Sequence, residues 1–168
     1  DDEAAMTKPM RIGPFARNPY DAPSVFNISG MSYGALSKPA VRALSRGAAK
    51  AGIWYNTGEG GMSLMHLEGG CDIVFQIGTA KYGVRDEKGE LSDTKLREVA
   101  ATPQVKMFEL KLSQGAKPGK GGILPAEKVN KEVAKIRGIP VGQASISPNR
   151  HPEIDSVEDL LDMIARIR

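Results

Sequence analysis

The chain has 168 residues, enough to bury one sizeable core, and its 40% hydrophobic and 26% charged residues match a soluble globular domain. No apolar run nears the ~20 residues of a membrane span. The net charge of +3 comes from interspersed acids and bases with only 5% aromatic residues, so a nucleic-acid binder, which carries a denser basic stripe, ranks last. Cys71 is the single cysteine, so no intrachain disulfide forms and a reducing compartment such as the cytoplasm is the simplest home. One cysteine and two distant histidines, His66 and His151, argue against a zinc site.

The opening DDEAAMTKP lacks an initiator Met and the layout of a signal peptide, and reads as a start partway into a longer product. Residues 1–24, with Pro9, Pro14, Pro19 and Pro23, read as an irregular lead-in, followed by one domain over 25–168. VFNISGMS (25–32) predicts a first strand. Ser37 then caps a helix whose face of Ala40, Val41, Leu44, Ala48 and Ala51 runs to Gly52. IWYNTG predicts a second strand and CDIVFQIG (71–78) a buried third. A helix from Ser92 to Ala101 stops before Pro103, and VKMFELKL (105–112) is the fourth strand.

Asn130 caps a further helix through Val133 and Ile136 to Gly138. The last helix opens on a capping box of Ser156 and Asp159 and carries Val157, Leu160, Leu161, Ile164 and Ile167 at helical spacing. It reaches Arg168 with no stop signal, which reads as a truncation. Strands alternating with helices imply an α/β fold with a parallel sheet under helices.

Ligands of such folds gather where the loops leave the carboxyl ends of the strands. GMSYG, NTGEGG, QIGTAKYG and SQGAKPGKGG follow the four strands in turn, which suggests one site. In the fourth strand, period two puts Phe108, Leu110 and Leu112 on the face packed under helices, and Met107, Glu109 and Lys111 on the other. Buried charges need a partner or a ligand, so Glu109 and Lys111 are either a structural pair or part of a site. The glycines of NTGEGG either expose backbone N–H groups to a ligand or make a tight turn. GAKPGKGG is no P-loop, because Gln114 and Gly121 stand where Gly and Ser or Thr are needed; neither G-x-G-x-x-G register closes, at Ser63 or at Leu124. Cys71, His66 and His151 read as structural or surface residues, and Met62, Met65 and Leu67 as packing under a loop.

Taken in order, ISGMSYGALS, NTGEGG, QIGTAKYGV, VKMFELKLSQGAKPGKGG, LPAEKV, EVAKIR, ISP and SVEDLLDMIARIR resemble the FMN-binding barrel domain of glutamate synthase and the shorter FMN-binding glutamate synthase family proteins. The match runs from about Val25 to the last residue. The resemblance implies the N-terminal half of a TIM (β/α)8 barrel, FMN as cofactor, and reduction of the imine formed from 2-oxoglutarate and ammonia to glutamate. By matching motif, Met31, Ser32, Tyr33 and Gly34 would line the flavin with Thr57 and Gln76 beside it. Glu59, Lys111, Gln114 and Lys117 would face flavin and substrate, and Arg137 would meet the substrate carboxylates. No catalytic residue is implied.

Lysines on a glycine loop suit closure over an acidic ligand, with Lys111 and Lys117 as anchors and Lys120 either anchor or solvated. Two positions depart from glutamate synthase. Ile123 replaces a Gln facing the substrate, and Lys120 replaces an acidic residue. A whole barrel takes about 250 residues, so the expected partners are a small acidic substrate and a second half-barrel or another copy of the chain. The family's phosphate loops and cysteine cluster, a source of iron–sulfur ligation, fall outside this chain. The alternative is a half-barrel assembly module without catalysis of its own.

Overall fold

The computed structural model describes residues 8–168. The first seven positions of the lead-in lie outside them. The rest of that lead-in, expected to be irregular, holds an antiparallel hairpin of β1 (Met10–Ile12) and β2 (Tyr20–Ala22), with Arg11 opposite Asp21. Pro9, Pro14, Pro19 and Pro23 flank the paired residues, so the ladder loses no donor to proline. Tyr20 and Ala22 turn inward, and the Tyr20 hydroxyl donates to Asp72 at 2.9 Å, tying the hairpin to the rest of the fold.

The central element is a parallel sheet in the order β3 (Tyr55–Asn56), β4 (Ile73–Ile77), β5 (Val105–Leu110). Every residue of β4 is buried, as its continuous apolar run requires. The strand expected at 25–32 shrinks to one parallel bridge between Ile28 and Tyr55. Asn27 explains the loss: its side chain takes the Trp54 N–H at 3.1 Å and donates to the Ser24 carbonyl at 2.8 Å, replacing ladder bonds with side-chain ones. A short antiparallel pair, β6 (Ile123–Leu124) with β7 (Ser145–Ile146), lies apart from the parallel sheet. Two-residue strands carry no alternation to read.

The helices follow their caps. α1 (Lys38–Ala51) starts after Ser37, but the Ser37 hydroxyl makes no capping bond; Pro39 in the first turn fits the start instead, and Gly52 ends the helix in the left-handed region. α2 is the single turn Leu64–Leu67. Ser92 caps α3 (Asp93–Ala100), and Asn130 caps α4 (Lys131–Arg137) through the Glu132 and Val133 N–H groups at 3.0 and 2.9 Å. The Ser156–Asp159 capping box opens α5 (Val157–Ile167).

Two cores result. Tyr55, Ile73, Val41, Ala48 and Val133 join β3, α1 and α4; Phe75, Ile77, Leu91, Leu96 and Met163 join β4, α3 and α5. Phe108 of β5 meets Phe75 edge-on at 5.9 Å. Beyond β5 the alternation fails, for Leu112 is exposed rather than packed under helices. α5 buries Met163 and leaves Val157, Leu161 and Ile164 outward, the reverse of what its apolar stripe suggests for a buried face. No helix among the described residues is long and apolar enough to cross a membrane.

Candidate functional site

The loops leaving the strands do converge. One cavity of about 140 Å³ is lined by Ser32 from the loop beyond the Ile28 bridge, Glu59 after β3, Tyr82 after β4, and Gln114 and Lys117 after β5, with Arg137 at the end of α4. Glu59 is its hub. Both carboxylate oxygens accept from Gln114 Nε2 at 2.8 Å, and Lys111 Nζ stands 3.3 Å from Glu59 Oε2 and 3.2 Å from Gln114 Oε1. Lys111 therefore pairs with Glu59, not with Glu109. Glu109 instead accepts from the buried side chains of Asn56, at 3.0 Å, and Gln76 while itself exposed, so it is not the buried charge that strand alternation suggests.

Two glycines make the approach feasible. At Gly58, with φ +67°, a Cβ would stand 2.7 Å from the Ser32 backbone nitrogen; at Gly60 it would stand 2.9 Å from an Arg137 guanidinium nitrogen. NTGEGG thus works as close packing between the loops and Arg137. The Arg137 side chain is 5% exposed, donates to Ser145 Oγ at 3.1 Å and lies 5.1 Å from the centre of the Tyr82 ring. Its Nε has no partner, and it forms no ion pair with any carboxylate among the described residues. Burial pushes the guanidinium below its ordinary value, against the pull of Tyr82 and Glu59. Arg137 is thus a nearly buried cation without an ion-pair partner among the described residues, at the edge of the cavity.

The other residues implied by resemblance divide. Gln76 lies at the strand end beside Gly30, and Met31 bonds the Asn56 carbonyl through its N–H at 3.2 Å. Thr57 is fully buried, its hydroxyl donating to the Gly58 carbonyl and accepting from the Gln76 N–H, so it fixes the strand end rather than meeting a ligand. Tyr33 turns away from the cavity. Its hydroxyl donates to Glu132 at 2.7 Å in a separate crevice that Gly34, Lys38 and Lys128 also line, and burial raises its pKa to about 12. Lys120 is exposed, and Ile123 lies half-open at the cavity rim.

Residues that sequence reading passed over also shape the site. Tyr82 and Ser145 share a hydrogen bond of 2.8 Å behind Arg137, and Ser147 lines the cavity. QIGTAKYGV and ISP contain Tyr82 and Ser147 but carry no pattern that singles them out. Cys71 is buried beside Ser45, and its thiol pKa is raised by burial, as a packed thiol requires. Among the described residues no cluster of His, Cys, Asp and Glu is arranged to hold a metal.

The family model described as a conserved region in glutamate synthase matches residues 14–168. The chain belongs to the glutamate synthase family. A glutamate synthase large subunit-like protein, YerD, of Bacillus subtilis (strain 168) is 45% identical over 151 residues, covering 89% of this chain and 29% of the relative. An archaeal-type glutamate synthase (NADPH) of Dehalococcoides mccartyi is 36% identical over 148 residues, covering 88% and 27%. An archaeal glutamate synthase (NADPH) of Methanocaldococcus jannaschii is 36% identical over 144 residues, covering 84% and 25%. The chain thus spans between 25% and 29% of the length of these glutamate synthase relatives.

Both histidines of this glutamate synthase family chain are buried, not superficial. His66 Nδ1 accepts the Ser63 N–H at 3.0 Å, so Nε2 carries the hydrogen and donates to the Met31 carbonyl at 3.1 Å. Burial holds the pKa of His66 and of His151 below the ordinary 6.5. An unfolded chain therefore takes up protons first as pH falls through 6.5, and the folded state loses stability from there downward. Thermal unfolding between pH 7.5 and 5.5 should show Tm falling with pH, and His66→Gln with His151→Gln should flatten the slope. A pH-independent Tm in the unmutated chain contradicts the buried neutral histidines.

Proposed function

We propose that this chain forms the substrate-facing wall of an FMN-dependent oxidoreductase of the glutamate synthase type, taking 2-oxoglutarate or a related acidic keto or amino acid. One observation carries the reading: Arg137 and Lys117 line a cavity whose single carboxylate, Glu59, is already engaged by Lys111 and Gln114. An anion entering there meets more positive than negative charge. The forked guanidinium of Arg137 suits a carboxylate, and Lys117 suits a second one at the opening. Tyr82 and Ser145 hold Arg137 in place, while Ile123 adds an apolar rim that helps exclude water. A cavity of roughly 150 Å³ admits a molecule of benzene's size, so a small keto acid is the right scale.

The flavin is tested against the same residues. Asn56, Gln76 and Glu109 form a hydrogen-bonded row in which both buried amides donate to the exposed carboxylate, and the Gly30 backbone packs close to them, since a Cβ there would stand 3.0 Å from Gln76 Nε2. Such a row of amides and carboxylate matches the alternating donors and acceptors of a flavin's pyrimidine edge. Gln76 and Lys111 would hold that edge, with the backbone of residues 31–34 beside it. When bound, the flavin supplies hydride and electron transfer. The glycine loops of this chain carry no phosphate-binding fingerprint, so the phosphate grip belongs to another part of the barrel.

The need for a second half follows from exposed apolar surface. Val157, Leu161 and Ile164 face outward on α5, and the far edge of β5 is unpaired. A second half-barrel or another copy of the chain would cover both, and its absence would favour a non-catalytic assembly role for the chain by itself. The parallel order bridge, β3, β4, β5 is the order in which a (β/α)8 barrel lays down its strands and supports this reading. The buried Cys71 suits a reducing, cytoplasmic compartment.

Calorimetric titration with 2-oxoglutarate should show Arg137→Leu weakening binding by at least about tenfold, with Lys120→Ala unchanged; equal affinities would overturn the acid-site assignment. Sedimentation of the chain alone at micromolar concentration should show self-association, and a stable, compact monomer would contradict the need for a second half.

A further inference from the structure

The lysine-glycine loop, residues 112–122, has little holding it internally. Its own bonds are the Lys117 N–H to the Gln114 carbonyl and the Lys120 N–H to the Lys117 carbonyl, both 3.0 Å. Its two ends are gripped from outside, and by one segment. At the far end, the Gly122 N–H donates to Ser147 Oγ at 2.8 Å. At the near end, Lys111 completes the β4–β5 ladder with its N–H on the Ile77 carbonyl at 2.9 Å, and its own carbonyl accepts from His151 Nε2 at 2.8 Å.

That second bond fixes the state of the ring. A carbonyl only accepts, so Nε2 carries the hydrogen and neutral His151 leaves Nδ1 as an acceptor. Nδ1 is buried and has no partner. Native folds seldom leave such a group unpaired, and its presence asks for an explanation. The backbone around it supplies one. The turn bearing His151 is pinned separately to the loop after β4: Thr79 Oγ1 donates to the Pro148 carbonyl at 2.6 Å, and the buried Lys81 ammonium meets Glu153 at 2.7 Å. His151 therefore reaches from one strand-end loop to the next, and its orientation is set by the Lys111 carbonyl rather than by its own full satisfaction.

We infer that His151 is a positioning residue: its Nε2–H fixes the Lys111 backbone, and so the Lys111 side chain and the start of the lysine-glycine loop, at the cavity. The role as positioning for ligand rests on the acid-site reading above. A small rotation at the Lys111 carbonyl would carry Nζ away from Glu59 and Gln114, which it meets at 3.3 and 3.2 Å. His151 does not line the cavity, so its effect passes through Lys111, which meets the cavity's Glu59.

The test uses the full chain with His151→Leu, which removes the donor, and His151→Gln, whose amide reaches the Nε2 position. Amide hydrogen exchange is followed for residues 111–122 and, as an internal reference, for residues 73–77 of β4. His151→Leu should speed exchange in the loop by about tenfold or more while β4 stays within about twofold, and His151→Gln should restore slow exchange. Titration with 2-oxoglutarate should follow the same order, His151→Leu weaker and His151→Gln near the unmutated affinity. Unchanged loop exchange in His151→Leu, or an equal acceleration in β4, overturns the inference. If His151→Leu does not fold, His151→Asn takes its place, its amide one methylene short; the same exchange rates in Asn and Gln variants overturn the inference. If the unmutated chain fails to bind 2-oxoglutarate, the acid-site reading falls while loop exchange still judges His151.

Discussion

Glu59 is the constraint on which the site depends. It stands at the end of the second strand-end loop and is held by residues of the fourth, Lys111 and Gln114, so one carboxylate ties two loops across the mouth of the sheet. Like charges held a few ångströms apart near a protein surface repel by on the order of a few kcal/mol. Arg137 and Lys117 line the small cavity, and Lys111 stands against its carboxylate, Glu59. A single, partly buried carboxylate offsets part of that charge.

The sheet determines where that carboxylate can stand. β4 is buried at every position and sets the register of β3 and β5, which places Asn56, Gln76 and Glu109 in a row and starts each following loop at the same level. The opposite consequence is open surface. The far edge of β5 is unpaired, and Glu109 on that strand is exposed. Arg137 comes from α4, outside the sheet, and reaches the cavity only because Gly60 has no side chain.

Much of this was legible in the residues, and the exceptions have physical reasons. Helix limits followed Asn130, Ser92, the Ser156–Asp159 box, Gly52 and Gly138, because capping chemistry is local and needs no knowledge of the rest of the chain. β4 followed from its apolar run. The strand at 25–32 failed because the side chain of Asn27 competes for backbone partners, and the hairpin in the lead-in was hidden because its prolines fall just outside the paired residues. Of the two readings left open for Lys111, the structural pair with Glu109 does not form, because period-two alternation ends with β5 at Leu110 and Lys111 meets Glu59 instead. Tyr82 and His151 join the account only through tertiary contacts, since each lies far in sequence from the residue it holds, and Ser145 sits eight residues from Arg137 with no pattern that marks it.

The account stands on the energetic link between Glu59 and Lys111. A double-mutant cycle with Glu59→Gln and Lys111→Met, read by denaturant unfolding, measures it directly. Coupling of about 1 kcal/mol or more is the expected result, while additivity within roughly 0.3 kcal/mol would mean that the two loops do not share this carboxylate and that the cavity is not built as described.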